Sequence, residues 1–130
     1  MATNKDGRVV TPVFERADQR GSFVEAINRG PWESLSHGSM GRDAVLGQHY
    51  HKKTDIFFYL SDGSADILIE DVRSGTRHGL VLKARQGLVF KPFETHRIRF
   101  LEDSRFLMLK SRAFSADDPD IFFHPLDESV

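Results

Sequence analysis

Among the 130 residues there is no cysteine, which excludes disulfides, cysteine-ligated zinc sites and thiol nucleophiles together. Long apolar runs are missing too. No stretch approaches membrane-spanning length, and the opening residues, Met1–Val10, carry no apolar signal core. Charge of neither sign is in excess: 18 Lys and Arg stand against 19 Asp and Glu, for a formal net charge of −1. Nucleic acid and anionic membrane are therefore not expected as partners, and a soluble cytoplasmic protein is. There is no convincing helical period, no internal repeat and no low-complexity segment. Tryptophan and tyrosine are scarce, at one and two residues, against eleven phenylalanines. The interior is expected to be rich in Phe.

What is present is a succession of short β-type runs separated by turn residues. The pattern predicts strands near Val9–Phe14, Ser22–Ile27, Trp32–Met40, Ala44–His51, Ile56–Ser61, Ser64–Asp71, Gly79–Leu82, Leu88–Lys91, His96–Phe100 and Arg105–Ser111. Such spacing belongs to an all-β sandwich or barrel, here one domain over 1–130 with 116–130 as a C-terminal tail. Asp62-Gly63 reads as a tight hairpin, since glycine supplies the positive φ of a primed turn; Ser74-Gly75 is a weaker signal of the same kind. In the tail, Ile121-Phe122-Phe123 is apolar enough to dock on the body or on a second subunit.

The chemistry concentrates at His49-Tyr50-His51. Residues two apart in a strand share a face, so His49 and His51 project together while Tyr50 points away. A third imidazole arrives from a distant strand, in which His96 alternates with Ile98 and Phe100 on one face and Arg97 and Arg99 lie on the other. A buried imidazole on an apolar face needs a partner or a function. Three histidines converging in a barrel suit a divalent metal or general acid/base work; a bare His-x-His pair also occurs as two surface residues.

In order, the motif is Gly47-x-His49-x-His51-x3-Asp55, then Gly63, then Gly87-x4-Pro92-x3-His96. It resembles the two-part signature of the cupins, which implies a double-stranded β-helix (jelly-roll) barrel. The resemblance also implies a possible metal site at His49, His51, His96 and Asp55 for Zn, Fe, Ni or Mn. The glutamate of the cupin pattern falls on Ile56. Asp18-x-Arg20-Gly21-x-Phe23-x-Glu25 and Leu46–His51 are similar to segments of the dTDP-4-dehydrorhamnose 3,5-epimerases, with Leu46 where an arginine usually stands. Gly47–Lys53 resembles the Gly-x-His-x-His-Lys-Lys segment of sugar-nucleotide 3,4-ketoisomerases. Gly63–Ser111 with Asp118-Pro119-Asp120 is similar to the C-terminal cupin domain of capsular-polysaccharide epimerases.

These resemblances imply an isomerase or epimerase acting on a nucleotide-linked 4-keto-6-deoxy sugar, in polysaccharide or glycoside assembly, with no cofactor required. His49 would be the base and His51 a second proton carrier. Tyr59 would be a donor to the developing enolate, and Arg20, Glu25, Arg42, Lys53 and His96 would contact the substrate. Plainer readings stand beside each: Arg20 as a solvated turn residue, Lys52-Lys53 as an exposed hairpin tip, Tyr59 as a core or interface ring. Phe57-Phe58 suggests core on one strand face and a subunit interface on the other, and a homodimer is expected. Two further readings are a metal-dependent cyclase or oxygenase and a non-catalytic cupin that binds sugar.

Overall fold

Period-two alternation builds nearly everything in the computed structural model, which describes residues 8–126. The strands are β1 (Phe14–Asp18), β2 (Gly21–Glu25), β3 (Ser34–Met40), β4 (Val45–Tyr50), β5 (Ile56–Asp62) and β6 (Ser64–Asp71). They continue with β7 (Arg77–Lys83), β8 (Gln86–Phe90), β9 (Glu94–Phe100), β10 (Ser104–Lys110) and β11 (Phe122–Phe123). No helix occurs among the described residues. A four-stranded sheet, β3-β10-β5-β8, faces a five-stranded sheet, β11-β4-β9-β6-β7, and every pairing is antiparallel. Together they form a jelly-roll barrel of the cupin type. β1 and β2 make a separate hairpin that packs chiefly on itself.

The core lies between the two large sheets. Ile56, Phe58 and Leu60 of β5 and Leu88 and Phe90 of β8 meet Ala65, Ile67 and Ile69 of β6 and Ile98 and Phe100 of β9. Phe58 has no exposed surface and touches the rings of Phe90, Phe100 and Phe106. Burying an aromatic side chain of this size contributes about 1.5–3 kcal/mol.

Several expectations are corrected. Asp62-Gly63 is no hairpin: β5 and β6 belong to different sheets, and the chain crosses from one to the other there. Gly63 is required by close approach, since a Cβ would fall 2.0 Å from Ser104 Oγ at a φ of 94°. The turn after Asp71, through Ser74-Gly75, does join a paired hairpin, β6 to β7. Val9–Phe14 forms only a bridge, Val10 to Gly87, because the first regular strand starts at Phe14. Phe57 leaves no face for a subunit, being 2% exposed against Trp32 and Tyr59 of its own chain. The apolar cluster in the tail docks on the body as β11, beside β4. The rest of the tail, 127–130, and residues 1–7 lie outside the described residues.

Candidate functional site

A bulge in β4 delivers the first histidine. Leu46 pairs with Ile98 and Gly47 with Arg97, but the next partner of β9, His96, pairs with His49. Gln48 is the extra residue, with φ of 70°, after Gly47 at φ 100°. An unbulged strand would turn Gln48 inward after Leu46; the inserted residue flips the alternation and turns His49 inward instead. Gly47 is obligatory here, because a Cβ would lie 2.5 Å from the His96 carbonyl oxygen. The His49 ring is edge-on to both His51 and His96, with centroids 5.2 and 5.1 Å away. His96 lies flat on Phe90, with centroids 4.0 Å apart, at the floor of the cluster.

Each imidazole is held in its neutral form. Burial is the main cause; Lys110 adds to it in all three and a neighbouring imidazole in His49 and His96, whereas the Asp120 carbonyl and carboxylate oppose it in His51. His96, which is almost wholly buried, is pushed down to about 3, despite an opposing contribution from a Glu94 backbone hydrogen bond. His49 and His51 are also lowered. Neutral His51 donates from Nδ1 to the Asp120 carbonyl at 2.5 Å, which leaves Nε2 as the basic nitrogen, buried and without a hydrogen bond. His49 Nδ1 lies 3.1 Å from the Gly47 carbonyl, which selects the same tautomer. His49 is half-buried, whereas His51 and His96 are buried.

Asp120, missed in the sequence, organises the loop after His51. Its carboxylate accepts hydrogen bonds from the backbone N–H groups of Lys52 and Lys53 and from Thr54 Oγ1; burial acts to raise it, and these hydrogen bonds together hold it below the ordinary aspartate value. Lys110 was missed as well. It follows Phe106 and Met108 on the inward face of β10, and with His51 it borders a slot of about 20 Å³ walled by Phe114, Pro119 and Ile121. The signal for Lys110 was the alternation Phe106-x-Met108-x-Lys110. Asp120 was marked only as part of the Asp118-Pro119-Asp120 motif, with no role attached.

Other expected site residues are elsewhere. Tyr59 shares the outer face of β5 with Phe57, opposite Phe58 and Leu60, so it does not face the histidines; burial raises its hydroxyl. Arg42 sits in the turn beside Asp103 and Phe100, at the far end of β9 from His96. Arg20 is exposed in the β1–β2 turn and ion-paired to Asp18 at 2.6 Å, and Glu25 lies on the same hairpin. Lys53 is in the loop after His51, paired to Asp118 at 2.8 Å. Asp55 lines a separate cleft of about 450 Å³ with Arg29, Trp32 and Lys91.

The metal reading does not fit these donors. Asp55 faces that other cleft, and Ile56, at the glutamate position, is core. Among the described residues, no three His, Cys, Asp or Glu side chains are placed to hold an ion. Nor is any helix among them long and apolar enough to cross a membrane.

The model of the polysaccharide biosynthesis C-terminal domain matches residues 16–122. No curated protein matches the sequence. Among solved structures, the fold is similar to a dTDP-4-dehydrorhamnose 3,5-epimerase from Sulfolobus tokodaii (TM-score 0.78, 18% identity, 94% of this chain and 80% of that one). It is also similar to a 3,4-ketoisomerase from Thermoanaerobacterium thermosaccharolyticum in complex with TDP (TM-score 0.71, 20% identity, 88% and 84%). A third likeness is to the capsular polysaccharide assembling protein CapF from Staphylococcus aureus (TM-score 0.68, 22% identity, 88% and 35%). The chain thus spans about a third of the length of CapF. At these identities the likeness is one of fold.

Proposed function

The chain belongs to the polysaccharide biosynthesis C-terminal domain family, and from that membership we propose that it is an isomerase or epimerase of a nucleotide-linked 4-keto-6-deoxy sugar. The observation that carries this reading is the cluster of three neutral imidazoles in the barrel, of which His49 is the least buried. A C–H bond beside a keto group is acidic enough for a neutral imidazole to take the proton and return it. His49 Nε2 is the base, and His51, its tautomer fixed by Asp120, is the second proton carrier. His96 acts as a neutral wall that keeps charge out of the floor.

Two proteins of similar fold are a dTDP-4-dehydrorhamnose 3,5-epimerase and a 3,4-ketoisomerase in complex with TDP, which supports a nucleotide sugar as substrate. A soluble, cytoplasmic enzyme goes with that substrate. No step in the proposed reaction runs through a metal. Lys53 is the cation of the loop next to His51 and a candidate for the diphosphate; Arg20 and Glu25 contribute only if their hairpin approaches a site.

The test is solvent exchange. Wild-type protein with a dTDP-linked 4-keto-6-deoxy sugar in D₂O should replace a proton beside the keto group, followed by NMR. His49→Ala should slow that exchange about a hundredfold to ten-thousandfold and leave TDP binding within a few-fold. A wild-type protein that binds such sugars without exchanging any carbon-bound proton would instead be a binding module.

A further inference from the structure

Lys110 and the Asp120 carboxylate are the charged groups that act on His51, and the carboxylate is already held by Thr54 and the backbone N–H groups of Lys52 and Lys53. Lys110 closes β10, opposite Ile56 of β5 and Ser34 of β3, and follows Phe106 and Met108 on the inward side of the strand. Its side chain borders the same slot as His51. Among the described residues no carboxylate pairs with it; the nearby carboxylates of Asp118 and Asp120 are taken by Lys53, Arg112, Thr54 and backbone N–H groups. Beside this placement, its charge adds a smaller contribution to that of burial in keeping His49, His51 and His96 neutral. A half-buried lysine without a carboxylate partner, on the inward face of β10 and lining one slot with a neutral base, is suited to an anion that is formed in the reaction.

We propose that Lys110 is a catalytic residue whose ammonium receives the oxygen that becomes negative when an imidazole removes the proton beside the keto group. The assignment rests on the sugar-isomerase reading and deepens it. In the step, the C–H bond breaks and its proton passes to His49 Nε2. The electron pair forms a carbon–carbon double bond, the carbonyl π pair moves to oxygen, and that oxyanion accepts a hydrogen bond from Lys110 Nζ. Return of a proton to carbon restores the ketone, so no oxidant or reductant is consumed. Lys110 also supplies what Tyr59 was expected to supply, from the correct face of the barrel.

The experiment compares wild type, Lys110→Met and Lys110→Arg in the D₂O exchange assay, with TDP binding measured by calorimetry and folding checked by circular dichroism. Loss of one preorganised oxyanion donor costs about a hundredfold to a thousandfold in kcat. Lys110→Met should therefore lose that much with KM and TDP affinity within about threefold, and Lys110→Arg should recover part of the rate. Exchange by Lys110→Met at the wild-type rate would overturn the assignment and leave the isomerase reading intact. So would a loss confined to KM and TDP affinity, because Lys110 would then be a phosphate ligand. Should Lys110→Met fail to fold, Lys110→Gln takes its place: a folded variant whose kcat falls about tenfold or more supports the role, and one with the wild-type kcat opposes it. Absence of exchange by wild type would overturn both.

Discussion

Gly47 and Gln48 decide where His49 points, and His49 decides whether the barrel has an accessible base. The bulge they form turns an imidazole inward at a position that simple alternation from Leu46 would give to Gln48. His96 is the residue through which the site is linked to stability. Its folded-state value of about 3 lies below the ordinary histidine value, so the unfolded chain binds the proton more readily. The contribution is fully present above about pH 6.5 and is lost as pH falls toward 3. Over that window one proton corresponds to about 1.4 kcal/mol per pH unit, and His49 and His51 act in the same direction near its upper end. The melting temperature should therefore drop between pH 7 and pH 5, and His96→Leu should flatten the decline. Equal slopes in the two proteins, measured by calorimetry, would remove His96 from this role.

At the scale of elements, the C-terminal segment holds the site in shape. β11 pairs with β4 at Tyr50 and His49, His124 N–H donates to the Gln48 carbonyl, and Thr95 Oγ1 donates to the His124 carbonyl. Lys52 lies over the Phe122 ring at 4.3 Å. Asp120 joins this segment to the 52–54 loop and to His51 at once. The slot beside His51 and Lys110 has room for about one water rather than a sugar. Substrate entry there requires the segment to shift, and Asp120 is the contact that resists the shift. Asp120→Ala removes three hydrogen bonds to a carboxylate, each worth about 1.5–3 kcal/mol at most when it leaves no buried charge behind. The variant should exchange amide protons of 52–54 and 118–124 faster while the core strands keep their protection. Unchanged exchange in both segments would show that the carboxylate does not hold them.

For the whole molecule, the apolar surface is the feature still without a partner. Val13, Phe14 and Phe23 are about half exposed on or beside the β1–β2 hairpin, and Leu35 and Phe123 are exposed on the edge strands β3 and β11. Open edges and exposed rings favour association. A homodimer is the expected state at micromolar concentration by light scattering, with Phe14→Ser/Phe23→Ser shifting the mass toward the monomer. A wild-type monomer at that concentration would count against it.

The sequence by itself determined the β class, most strand positions and the common face of His49 and His51, because a period of two is written locally in each strand; that this face is the inward one, shared with His96, was decided by the bulge at Gln48. It did not determine which sheet each strand joins. Asp62-Gly63 has the composition of a hairpin, yet β5 and β6 find partners more than twenty residues away in sequence, β10 and β9 among them. Nor could it tell the inside of β5 from the outside, since Phe57 and Tyr59 are as apolar as Phe58 and Leu60, and Tyr59 was placed on the wrong face. Asp55 and Arg42 were close to the motif or basic enough to suit a phosphate, but proximity along the chain says little about direction in a barrel. Lys110 and Asp120 became site residues only in the tertiary structure. A strand-end lysine and a tail aspartate are ordinary surface residues until long-range pairing sets one on the slot beside His51 and the carbonyl of the other against its Nδ1.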